Sequence, residues 1–111
     1  MLRSLGQINQ KEIVLATGLD SIRGIIGREE ILDKSLLLFR NCPQIHSFFV
    51  RQPFYVTFVS ANLRDYECRQ MFPNRLSKMK SWNSICLESK TRLSAIEIEN
   101  VIELFRNKSF D

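Results

Sequence analysis

The run NCPQIHSFFVRQPFYVTFVS, residues 41–60, decides how the rest of the chain is read. From residue 46 onward its side chains alternate. His46, Phe48, Val50, Phe54, Val56 and Phe58 fall on one side, and Ser47, Phe49, Arg51, Tyr55 and Thr57 on the other. A period of two belongs to an extended strand. Pro53 has no N–H to give to a ladder, so the pattern predicts a bulge there, or two strands meeting at a corner. The same run carries the only histidine of the chain, with a cysteine upstream and an arginine downstream. It is therefore also the first place to look for chemistry.

Working outward, KEIVLA (11–16) and SLLLF (35–39) read as strands, and YECRQMF (66–72) and SWNSICLE (81–88) as two more. Between the first two the period changes. Leu19, Ile22 and Ile26 share a helical face, Thr17 is a candidate N-cap and Gly27 a candidate stop, and EEILDK is expected to add a short helical turn. Residues 1–10 are expected to fray, PNRLSK (73–78) to be a loop, and 106–111 to be a tail, leaving 11–105 as a single β-rich domain. Residues 95–105 fit a helix face through Ile98, Val101, Ile102 and Phe105, but Ile96 to Glu99 alternate like a strand. Turn followed by strand is the preferred reading. All four glycines lie in the first 27 residues, so asparagines are expected at the later turns: Asn41, Asn62, Asn74, Asn83 and Asn100.

Composition narrows the classes. With 111 residues, 44% hydrophobic and 25% charged, the chain can bury one core, and it is too apolar for a disordered chain. No apolar run is long enough to span a membrane, and the first residues lack the apolar stretch of a signal peptide. A cytoplasmic location is the expectation. Cys42, Cys68 and Cys86 contain no C-x-x-C and are read as small buried hydrophobes kept reduced. Neither a metal nor a cofactor is expected.

Beyond its alternation, the 41–60 run resembles the signature of domain of unknown function 192, an uncharacterised bacterial and archaeal family. That family's central motif is similar to C-x-x-I-H-T-F-x-M-R-x-P-I-D-V-x-F-L-D. Cys42, Ile45, His46, Phe48, Arg51, Pro53, Val56 and Phe58 match it in register. Upstream, Arg23, Gly24, Ile25 and Arg28 resemble the family's R-G-L-hydrophobic-x-R opening. Downstream, Cys86–Glu88 is similar to its V-L-E-L and Ile98–Leu104 to its closing V-G-D-x-L-x-L. The resemblance implies a small, mainly β fold of sandwich or jelly-roll-like barrel type, with one or two short helices near the N-terminus. It implies no reaction. Tyr55 and Ser60 stand where the family has aspartates, Lys90–Arg92 where it has P-A-G, and Glu99–Asn100 where it has G-D.

Candidate sites follow from residue types. His46, Arg51 and Tyr55 form a candidate ligand-binding set: an imidazole that titrates near neutrality, and a guanidinium that can stack on the tyrosine or hold an anion. Cys42 and His46 are too far apart along a strand to share a metal, at roughly 13 Å for four residues. The bland alternative for each is a strand-end polar group bonded to backbone. Arg69, Arg75, Lys78 and Lys80 form a second candidate, an anion or nucleic-acid patch, with Phe72 and Trp82 nearby as stacking groups or, more simply, as core anchors. No nucleophile–base pair, phosphate loop or zinc-hydrolase motif is present. The chain thus reads as a small non-catalytic binding or accessory module. The alternatives are a divergent enzyme or small-ligand binder centred on His46 and Arg51, and nucleic-acid binding through residues 69–92. A protein partner or a homodimer through a sheet edge is open, and nucleic acid is the weaker partner.

Overall fold

The computed structural model describes residues 2–17, 24–40, 44–47, 49–60, 62–78 and 83–107. They form eight strands: β1 (Leu2–Ile8), β2 (Lys11–Ala16), β3 (Ser35–Arg40), β4 (Gln44–His46), β5 (Phe54–Ser60), β6 (Tyr66–Met71), β7 (Leu76–Lys78) and β8 (Asn83–Ser89). A 3-10 helix covers Glu29–Asp33 and an α-helix, α1, covers Ala95–Arg106. Six strands make one mixed sheet in the order β1-β2-β3-β8-β5-β6, while β4 and β7 pair separately. The protein is mainly β.

The sheet is antiparallel except at β2–β3, where the strands run parallel. A parallel pair needs a long crossover, and its described part is residues 24–34. Ile25 and Leu32 of this crossover pack with Val14, Leu37, Phe39, Phe54, Val56, Phe58 and Cys86 on one face of the sheet. On the other face Ile98, Val101 and Ile102 of α1 pack with Ile13, Leu15, Leu36, Leu38, Val59, Ile85 and Leu87. Because both faces are covered, β2 and β3 are buried along most of their length and carry continuous apolar runs, and β8 is buried from Ile85 to Ser89. The same covering buries Thr57, on the side of the strand opposite Val56 and Phe58.

Pro53 marks a corner, as expected. Gln44–His46 belongs to the small sheet and Phe54–Ser60 to the large one, with the chain turning through 47–53 between them. Ser47 pins this corner from a fully buried position. Its Oγ donates to the Phe72 carbonyl and accepts from the Arg75 N–H at 2.7 Å. Its own N–H donates to the Arg75 carbonyl at 2.8 Å, and Asn74 N–H donates to the Ser47 carbonyl at 2.9 Å.

Several expectations are corrected. Residues 2–8 are not frayed: they form β1, joined to β2 by a two-residue turn in which Asn9 and Gln10 both have positive φ. That is the type I′ geometry, normally signalled by Asn-Gly. Leu76–Lys78, expected as loop, is a strand, because β4 supplies it with a partner. Residues 95–105 are helical. Ser94 Oγ accepts from Glu97 N–H while Glu97 Oε1 accepts from Ser94 N–H, a complete capping box. The α-helix therefore stands near the C-terminus, whereas short helices were expected near the N-terminus. In that region the 3-10 helix follows EEILDK as read, and the helix expected over 17–27 falls largely on residues 18–23, outside the described ones. Of the asparagines, Asn74 has the expected positive φ (60°), while Asn83 lies in β8 and Asn100 in α1. Asn62 acts through its side chain: Oδ1 accepts from Arg64 N–H at 2.8 Å, and the positive φ falls on Leu63. Asn41 is outside the described residues.

Candidate functional site

Two adjoining clefts open between the 3-10 helix and the corner at 49–54. One, of about 500 Å³, is lined by Ile25, Leu32, Pro53 and Phe54 together with Glu30, Asp33 and Lys90. The other, of about 470 Å³, is bounded by Ile26, Phe49 and Arg51 and shares Glu29, Glu30 and Gln52 with the first. Glu29 joins the two walls. Its Oε2 accepts from Arg51 N–H at 2.9 Å and its Oε1 from Gln52 N–H at 3.0 Å, so one carboxylate satisfies two consecutive backbone donors. Asp33 is held by Lys90 Nζ at 2.7 Å. That hydrogen bond, then the ammonium charge, lowers the Asp33 carboxyl below its ordinary range.

Phe49 stands at the mouth of the second cleft with φ 67° and 81% of its surface exposed. Val50 N–H donates to the Ser47 carbonyl at 3.2 Å, so Phe49 is the third residue of a tight turn. Glycine or asparagine is the ordinary occupant there. A large aromatic side chain held in left-handed backbone and turned to solvent adds cost from both causes.

The sequence-derived set is not brought together. Arg51 lines the second cleft, on the side of the sheet covered by Ile25 and Ile26. Tyr55 alternates with Phe54 and Val56 and so faces the α1 side. Its ring lies under Arg92, whose Cζ is 5.3 Å from the ring centre, and not under Arg51. The backbone of His46 sits in β4 opposite Leu76, and its imidazole lies outside what the structure describes. The basic set is also dispersed. Arg69 is bound through two nitrogens to Glu67 at 2.8 and 3.0 Å and lies over the Phe58 ring at 5.1 Å. The Glu67 hydrogen bond raises its guanidinium above the ordinary value. Arg75 is exposed at the corner pinned by Ser47. Lys78 contributes its backbone to β7; its side chain, Lys80 and Trp82 lie outside the described residues. Phe72, read as a core anchor, is 51% exposed.

Among the described residues no group of three His, Cys, Asp or Glu is placed to hold a metal ion. Cys86 is a buried free thiol and Cys68 a half-buried one; Cys42 is outside the described residues. No described helix is long and apolar enough to cross a membrane. The sequence reading passed over Glu29, Glu30 and Asp33. Two acids opening a short helical turn are a local signal, but the backbone that Glu29 reaches lies 22 and 23 residues away. Comparison with protein-family models, curated proteins and solved structures finds no match to this chain.

Proposed function

We propose that the protein is a non-catalytic binding module whose ligand enters the cleft between the 3-10 helix and the 49–54 corner. The observation that carries this reading is an apolar lining beside three carboxylates, Glu29, Glu30 and Asp33, against one ammonium group, Lys90, which Asp33 already holds. Ile25, Leu32, Pro53 and Phe54 supply the apolar part of the lining, and Glu30 and Asp33 line the same cleft. Glu29 is committed to backbone and Asp33 to Lys90. Glu30 is thus the carboxylate left to meet a ligand, and the matching ligand is a small molecule with an apolar body and a cationic head. An anion would meet the acids first, which weighs against a site for anions at Arg51.

We retain membership of domain of unknown function 192 as part of the same proposal, together with its sandwich or jelly-roll description and a cytoplasmic location. Support comes from residues of separate motif segments that pack together. Arg28 Nε donates to the Gly24 carbonyl at 2.7 Å, Ile25 is buried, and Gly24 lies so close to Glu88 that an added Cβ would come within 3.2 Å of Oε1.

Thermal unfolding in the presence of aliphatic and aromatic amines, with matched carboxylates and inorganic phosphate in parallel, tests the ligand class. Binding to the native state raises the melting temperature by mass action. Amines should raise it and anions should not, and Glu30→Gln should remove the amine response. A response confined to anions, no response to any amine, or an undiminished response in Glu30→Gln would sink the proposal.

A further inference from the structure

β6 pairs with β5 along one edge, and no other described strand lies along its second edge. The phase of the ladder shows which backbone groups face outward. Ser60 N–H donates to the Asp65 carbonyl at 2.8 Å, one step beyond the Val59–Tyr66 pair. Alternate pairs of an antiparallel ladder exchange hydrogen bonds. Asp65, Glu67, Arg69 and Met71 therefore turn their backbone groups toward β5, and Tyr66, Cys68 and Gln70 turn theirs to the open edge. The Cys68 carbonyl receives only a long approach from Arg92 Nη1, at 3.5 Å. β6 has no proline, glycine or register shift to guard its edge, and its charges are one acid and one base, Glu67 and Arg69. β1, the opposite edge, is broken by a register shift between Ser4 and Gly6.

We propose that this edge is a dimer interface, with two copies joined β6 to β6, antiparallel, about a two-fold axis through Cys68. The charges select the register. Outward-facing residues must meet outward-facing residues, which allows an axis at any residue of the strand. An axis at Glu67 opposes Glu67 to the partner's Glu67, and one at Arg69 opposes two arginines. An axis at Tyr66 sets Glu67 against the partner's Asp65, and one at Gln70 sets Arg69 against the partner's Met71. Only the axis at Cys68 sets Glu67 against the partner's Arg69 and, by symmetry, Arg69 against the partner's Glu67. Tyr66 then faces the partner's Gln70. Opposite charges directly across a strand pair stabilise it and like charges oppose it. The short sequence Glu67-Cys68-Arg69 is thus complementary to itself read backward, as a two-fold interface requires. The result is one continuous sheet through both copies. This interface is independent of the cleft, which opens at Ile25 and Phe54 and not at β6.

Sedimentation equilibrium of the full chain tests the proposal. Wild type should show a concentration-dependent dimer. Glu67→Arg or Arg69→Glu alone should raise its dissociation constant by about tenfold or more, and the double swap E67R/R69E should restore it. The double swap keeps the pairing within each copy, and circular dichroism checks that every variant is folded. Oxidation by diamide should trap a covalent dimer that Cys68→Ser abolishes. A monomer at all concentrations, a dimer indifferent to either charge reversal, or a covalent dimer that persists in Cys68→Ser would overturn the proposal.

Discussion

On one face of the six-stranded sheet the cover is a 12-residue helix; on the other it is irregular chain, a 3-10 turn and the 47–53 corner. The helix meets its own backbone needs. Its interior N–H and C=O groups pair within the element, and Ser94 and Glu97 close its first turn. The irregular cover cannot do this and borrows partners from far along the chain. Glu29 takes the N–H groups of Arg51 and Gln52, Ser47 Oγ donates to the Phe72 carbonyl and accepts from the Arg75 N–H, and Lys11 Nζ holds the Leu32 and Asp33 carbonyls at 3.2 and 2.8 Å. Covers built this way leave gaps between their parts, and the two clefts lined by the 3-10 helix and the corner lie there.

Three substitutions probe that contrast. The largest effect is expected from Phe54→Ala, which removes a fully buried ring between the sheet and the clefts. A loss of about 3–5 kcal/mol in urea unfolding follows from the lost transfer energy and the cavity left behind. A value below about 1 kcal/mol would mean the cover collapses to fill the space, and the face is less rigid than its bonds suggest. Next is Ser47→Ala, which removes the partner of two part-buried backbone groups, the Phe72 carbonyl and the Arg75 N–H, and should cost about 1–3 kcal/mol. Hydrogen exchange should then quicken at Asn74 and Arg75 while α1 amides stay protected. Uniform acceleration would show that the two covers are not separate units. The smallest is Ser94→Ala, about 1 kcal/mol from the lost cap, with fraying confined to the first turn of α1.

The regular parts of the molecule were legible because their causes are local. KEIVLA, SLLLF and the 54–60 run announce strands by β-branched and apolar content, and Pro53 announces the corner. The errors have a common cause as well. β1 and β7 are short or polar strands that exist because β2 and β4 lie beside them, and no window around residues 2–8 or 76–78 contains that information. The 95–105 segment alternates for four residues and is helical over twelve. Ser94-x-x-Glu97 was the deciding local signal and was passed over in favour of the alternation. For the site the balance was reversed. Arg51 and Tyr55 lie close in sequence and share a side by simple alternation, but the corner at 49–53 breaks that phase: Arg51 precedes β5 and lines a cleft, while Tyr55 lies within the strand. Glu29, the residue that organises the cleft, is distant from everything it binds.

By itself the amino-acid order determined the extended strands, the proline corner and the apolar positions that fill both faces, because backbone preference and hydrophobic period act over a few residues. Tertiary structure alone decided which strands lie at the edges, which carboxylates are spent on backbone donors and where the clefts open. Those outcomes depend on hydrogen-bond partners that only the folded chain brings within 3 Å of one another.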